Sequence, residues 1–236
     1  MADVKENPAA NSKKSEIGGK FKNFAGGYLL LGFAAASLSL ILFLWLAGEV
    51  YVGETIIFDE TIRQAVRRFA APWLTKTMIY VSLLGSQRFL IGGVIVLLIV
   101  FIWLKWKREI ILFLLTMTGE AILEVTLKLL FGRVRPEPFF DYAPLKTYSF
   151  PSGHALASAC FYGILAWLIA AHVKRRSLKF LIWISAATLV LLIGFTRIYL
   201  GVHFPSDVLA GFAAAFVWIF TVAMTDYYLK NKNSQN

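Results

Sequence analysis

Cysteine is nearly absent from this chain. Its single residue, Cys160, cannot close an internal disulfide, so the fold stands without such staples and nothing follows about redox compartment. Cys160 sits within an apolar run and reads as a small packing residue. Charge is scarce as well. Asp, Glu, Lys and Arg together make up 16% of the residues, against about 25% in soluble domains, which excludes an ordinary water-soluble fold. Histidine occurs only three times, as His154, His172 and His203. No internal repeat or low-complexity stretch stands out.

Apolar length is what the chain has in abundance. Hydrophobic residues account for 58% of it, and runs near 20 residues recur, each able to cross a hydrocarbon core of about 30 Å. The pattern predicts an all-α integral membrane protein: six transmembrane helices in a bundle, plus an amphipathic helical segment on the outer surface. The spans fall roughly at 28–48, 88–104, 110–131, 153–172, 180–197 and 207–228. A membrane domain over 28–228 then lies between two polar tails, 1–27 and 229–236. The first run is longer than the 7–15-residue core of a signal peptide and reads as a retained anchor.

The net charge of +10 would suggest nucleic acid in a soluble chain. Here 14 of the 24 Lys and Arg residues fall in 1–27, 105–108, 173–179 and 229–236, the segments that share one side of a six-span bundle. That asymmetry predicts cytoplasmic termini. Between the first two spans, Phe58, Ile62, Ala65, Val66 and Phe69 recur at helical spacing. Asp59, Glu60, Arg63, Arg67 and Arg68 fill the other face, the mark of a helix lying at the interface. Pro72 ends it. Residues 73–85 are apolar but short, and are expected to lie on the surface or re-enter.

Charged residues inside spans are costly and need a reason. Glu120, Glu124 and Lys128 are four apart and form one stripe on the third span. Glu124 is expected to pair with Lys128. Glu120, about 12 Å deeper by helical rise, fits either a protonated bundle contact or a functional acid.

Three short segments converge on the non-cytoplasmic side. Lys128, Arg133, Arg135 and Pro136 leave the third span. Pro151, Ser152, Gly153 and His154 open the fourth, where free N–H groups and a positive dipole end suit a phosphate and Gly153 permits close approach. Arg197, His203, Pro205 and Asp207 join the fifth span to the sixth. Several fixed cations can hold phosphoryl oxygens and the charge that develops in transfer. Two histidines can divide nucleophile and acid roles. Asp207, four residues after His203, can orient its ring. His172 falls in a cytoplasmic loop and is given no role.

These residues resemble the type 2 phosphatidic acid phosphatase family. Lys128, Arg135 and Pro136 match its first motif, residues 151–154 its second, and Arg197, His203 and Asp207 its third, with Thr196 where serine is usual. The resemblance implies that His203 attacks phosphorus, Asp207 orients it, and His154 protonates the leaving oxygen. It implies phosphate binding by Lys128, Arg135, Ser152, Gly153 and Arg197, with Arg133 and Glu124 standing behind them, and neither metal nor other cofactor. The expected partners are a lipid phosphate substrate and the surrounding membrane lipids, with no nucleic acid and no obligate protein partner. Phosphatidylglycerophosphate, phosphatidic acid and undecaprenyl pyrophosphate are the substrates implied, in a multi-pass protein of a bacterial cell membrane. Phe139, Phe140 and Tyr142 are candidates for a lateral lipid entrance or an ordinary aromatic belt. A lipid phosphotransferase and an anionic-lipid transporter are the rival functions. Vanadium-dependent haloperoxidases share a similar pocket, but the six spans argue against that activity.

Overall fold

The computed structural model describes the backbone of residues 8–140 and 147–233, with side chains from residue 30 to 232 outside that gap. Among the described residues every regular element is a helix. These are α1 (Pro8–Val52), α2 (Ile56–Arg67), α3 (Pro72–Leu83), α4 (Gln87–Trp103), α5 (Lys107–Phe131), α6 (Gly153–His172), α7 (Arg176–Tyr199) and α8 (Pro205–Asn233). The apolar stretches of α1, α5, α6, α7 and α8 are each long enough to cross a bilayer, and α3 with α4 passes the same test as a pair bent by 45°. The predicted spans are all present and in order. α5 and α7 begin about a turn earlier than the apolar runs, and α1 and α8 continue into the polar tails, because Lys, Arg and Glu are good helix formers and long basic side chains can reach back to the interface.

Lipid-facing positions stay apolar: Leu31, Phe33, Leu38, Ile95, Ile99 and Ile111 are exposed. Inside, Phe113, Phe161, Ile164, Leu168 and Val222 form a dry core. α6 and α8 meet through small buried side chains, among them Ala155, Ala210, Ala214 and Ala215, which let the two backbones approach. Cys160 packs in that seam, as its apolar setting predicts.

The two ends of the bundle differ. At one end Arg108 grips Asp226 through Nε and a terminal nitrogen at 2.8 and 2.5 Å. There His172 stacks on Trp106 with ring centroids 3.8 Å apart, and its Nε2 lies 3.2 Å from Glu109. This holds His172 at the opposite end of α6 from His154, a 20-residue helix about 30 Å long. The other end carries the α5–α6 and α7–α8 loops, α2 and the start of α3.

Two connecting helices shape that second end. The segment 73–85 is α3, which opens on a proline and lies against α7. The Tyr199 hydroxyl meets Thr75 Oγ1 at 2.9 Å and accepts from Ala71 N–H at 3.4 Å. The bend before α4 puts Gly85 against Ile193 and beside the His154 ring, and Tyr162 donates to the Leu84 carbonyl at 2.9 Å.

α2 corrects one expectation. Of the expected apolar stripe Phe58, Ala65 and Phe69 are exposed while Ile62 and Val66 are half-buried, and the charged stripe is split. Arg67 and Arg68 are exposed, whereas Asp59 and Arg63 are buried against the loops. Arg63 donates to the carbonyls of Glu137 and Gly201 at 2.8 and 3.2 Å. A charge leaves water when enough fixed partners wait for it, and the loops supply them.

Candidate active site

α5 ends on Gly132, whose left-handed backbone (φ 57°) closes the helix and turns the chain across the top of the bundle. Arg133 and Arg135 follow. The Arg133 guanidinium donates to Asp207 Oδ1 at 2.6 Å, Ser206 Oγ at 2.8 Å, Asp59 Oδ2 at 2.7 Å and Thr55 Oγ1 at 2.9 Å. It also lies 4.1 Å over the Phe204 ring. Every terminal donor direction is committed to protein, so Arg133 has none left for a ligand and bears instead on Asp207, Ser206, Asp59 and Thr55.

Arg135 points the other way. It donates from Nε to the Thr147 carbonyl at 2.6 Å, and from its terminal nitrogens to Thr147 Oγ1 at 2.9 Å and the Val202 carbonyl at 2.9 Å. One of those nitrogens lies 2.8 Å from His203 Nε2. An arginine can only donate, so Nε2 must carry its lone pair and the ring proton sits on Nδ1. That proton faces Asp207 Oδ2 at 3.3 Å. Asp207 is buried and held by the Ser149 hydroxyl and the Phe204 N–H (2.9 Å) as well as by Arg133.

The electrostatics agree with a neutral imidazole. Burial is the largest influence on His203, opposed by the hydrogen bond to Asp207 and reinforced by Arg135 and Arg197. Together they pull it from the ordinary 6.5 down to about 3. Burial, then the charge of Arg197, lowers Arg135 to about 10, which leaves it cationic at neutral pH.

α6 begins directly beside this pair, because Ser152 N–H donates to the Asp207 carbonyl at 3.0 Å. The N–H groups of its first turn have no intrahelical acceptor. Ser152 Oγ is buried and has no hydrogen-bond partner among the described residues. A polar oxygen left this way is costly unless a ligand satisfies it, and a phosphate oxygen would fit. Gly153 is small for a reason the sequence did not show: a Cβ there would overlap the Glu124 carboxylate. Glu124 in turn pairs with Lys128, as expected from their spacing. His154, in the first turn, is partly accessible and lies within electrostatic reach of Arg197, His203, Lys128 and Arg135.

Arg197 enters from the last turn of α7, is almost wholly buried, and donates to Ser82 Oγ at 2.5 Å. Lys128, Arg135, Ser152, Gly153, His154, Arg197, His203 and Asp207 thus gather at one end of the bundle. Glu120 is buried deeper in α5, its Oε1 without a partner among the described residues. Thr196 spends its hydroxyl on the Ile193 carbonyl at 2.6 Å. Phe139 is buried with its ring 4.8 Å from both Arg63 and Arg67, and Phe140 stacks on Tyr199 at 5.4 Å. Both brace the loops at the site end of the bundle. Tyr142 lies outside the described residues. Sequence reasoning missed Asp59, Ser82, Ser149 and Ser206. Asp59 looked like one more charge on an amphipathic face, Ser82 stood in an apolar stretch, and Ser149 and Ser206 were small residues beside or within the motifs.

Fold and site together define a helical multi-pass membrane protein with a cationic, histidine-bearing cluster at one end. The profile of the PAP2 superfamily matches residues 109–231. Over 194 residues the chain is 32% identical to phosphatidylglycerophosphatase B of Bacillus subtilis (strain 168), covering 80% of this chain and 94% of that protein. It is 29% identical over 183 residues to an undecaprenyl-diphosphatase of Sulfolobus acidocaldarius, covering 73% and 82%. The crystal structure of a transmembrane PAP2-type phosphatidylglycerolphosphate phosphatase from Bacillus subtilis superimposes with a TM-score of 0.74 at 31% identity, covering 82% of this chain and 96% of that one. The chain belongs to the PAP2 superfamily. It is a multi-pass membrane phosphatase, a hydrolase of phosphoric monoesters or diphosphates.

Proposed function

We propose that the chain hydrolyses a phosphomonoester or diphosphate carried on a lipid, through a phosphohistidine on His203. The observation that carries this reading is the Nε2 lone pair, presented toward a guanidinium while Nδ1–H faces a buried carboxylate. A phosphoryl oxygen arriving at Arg135 takes over its donor and brings phosphorus to Nε2. Lys128, Arg135, Arg197, the Ser152 hydroxyl and the first N–H groups of α6 hold the remaining oxygens.

The reaction then runs in two displacements. His203 Nε2 bonds phosphorus as the bond to the leaving oxygen breaks, and protonated His154 gives its proton to that oxygen. Asp207 balances the positive charge that appears on the His203 ring. Water, losing a proton to His154, next attacks phosphorus; the P–N bond breaks and its electron pair returns to Nε2, releasing phosphate.

The lipid class follows from placement and kinship. The cationic cluster lies at the end of helices whose outer surfaces are apolar, so tails can remain in the bilayer while a head group meets the cations. Phosphatidylglycerophosphate, phosphatidic acid and undecaprenyl pyrophosphate are the proposed substrates. Lys and Arg are concentrated in the loops and tails at the His172 end, which supports a cytoplasmic place for that end and both termini, with the site on the opposite face of a bacterial membrane. Phosphate release by purified protein over these three lipids and a soluble sugar phosphate tests the reading. Turnover of a lipid, lost in His203→Ala, is the expected result. Equal turnover of the sugar phosphate would overturn the lipid class, and an active His203→Ala would overturn the intermediate.

A further inference from the structure

Asp59 belongs to α2, far from the three motifs, and is fully buried. Its carboxylate is aimed at the machinery. Oδ1 accepts the Ser206 N–H at 2.9 Å, and Oδ2 accepts the Ser206 hydroxyl and an Arg133 nitrogen, both at 2.7 Å. The other terminal nitrogen of Arg133 reaches Asp207 Oδ1 at 2.6 Å. One guanidinium therefore bridges two carboxylates that water does not touch, and the second of them faces His203.

Charge arithmetic gives this arrangement a purpose. An Arg133–Asp207 pair alone would be neutral, and in a buried setting that cation would oppose the positive ring formed when Nε2 bonds phosphorus. A second carboxylate on the same guanidinium restores a net charge of −1 to the trio. Asp59 also fixes the backbone of Ser206, the residue before Asp207, at the first turn of α8.

We propose that Asp59 is a positioning residue for the phosphatase reaction: by sharing Arg133 it leaves Asp207 with the negative charge that His203 needs. This rests on the phosphohistidine reading above. Purified Asp59→Asn, assayed on phosphatidic acid in detergent, should lose about ten- to a hundredfold in kcat, the usual cost of an outer hydrogen-bond partner. Its inhibition by inorganic phosphate should stay unchanged, because the phosphate-binding cations are untouched.

Arg133→Gln leaves the trio at −2 and should also be slow. Asp59→Asn combined with Arg133→Gln returns it to −1, and should turn over faster than either single variant. A double variant slower than both would assign Asp59 a merely structural part and overturn the proposal. If Asp59→Asn fails to fold, the double variant against Arg133→Gln alone decides the matter in the same way. His203→Ala separates the two readings. Activity in that variant removes the phosphohistidine itself, whereas a dead His203→Ala beside a fully active Asp59→Asn removes only the role of Asp59.

Discussion

Arg135 donates to Nε2 of His203 at 2.8 Å, the ring nitrogen opposite the one that faces Asp207. The same guanidinium is anchored on Thr147 and on the Val202 carbonyl. Its place is therefore set before any phosphate arrives. Replacing Arg135 with alanine should cost about 1.5–3 kcal/mol of charge-assisted hydrogen bonding, roughly ten- to a hundredfold in kcat/KM. Steady-state kinetics together with phosphate inhibition would check this, and both should weaken in parallel.

Asp207→Asn should behave differently. An amide at Asp207 would offer its NH2 where the Nδ1–H now needs an acceptor, and favour the tautomer that protonates Nε2. The expected loss is in kcat, about 10²–10⁴-fold, with phosphate inhibition little changed. An equal loss in both would remove the orienting role of Asp207.

Gly153→Ala tests the packing at the start of α6. The added methyl group meets the Glu124 carboxylate, which must swing away from Lys128. Overpacking of this kind costs about 1–3 kcal/mol. The variant should melt at lower temperature and lose activity, and adding Glu124→Ala should restore the melting temperature by making room. A melting temperature unchanged in Gly153→Ala would contradict the contact.

Acid should weaken the native state through His203. Its folded value, about 3, lies below the ordinary 6.5 of an unfolded histidine. Between those values the unfolded chain binds a proton that the native chain refuses, so stability falls as pH drops from about 6.5 toward 3. His203→Asn removes that contribution. Between pH 7 and pH 4 its melting temperature should fall less than that of the unaltered protein.

Much of this was legible in the sequence, because the motif residues are chemically specific and the spans fix which loops share a side. In the proposed reaction Lys128, Arg135, His154, Arg197, His203 and Asp207 act through their own functional groups, so their types and spacing show through. Asp59 and Ser82 reach the site residues only through where the fold sets them. An aspartate on a charged helix face and a serine in an apolar helix look ordinary until α2 and α3 fold over the loops. A usable signal did exist for Asp59: acidic residues are few in this chain, 14 against 24 basic ones, and one beside a cluster of arginines invites pairing. The bend between α3 and α4 escaped for another reason. Residues 73–85 are too short to span alone, and only their continuation into α4 shows the path.

Ser152 N–H donates to the Asp207 carbonyl, so the start of α6 is tied to the start of α8. Synthesis runs from one to the other through all of α7. Under the proposed reaction, a chain that has delivered only α6 and α7 carries His154 and the cations that would hold phosphate but not His203 or Asp207. Activity would then await the seating of α8 beside α1 and α6.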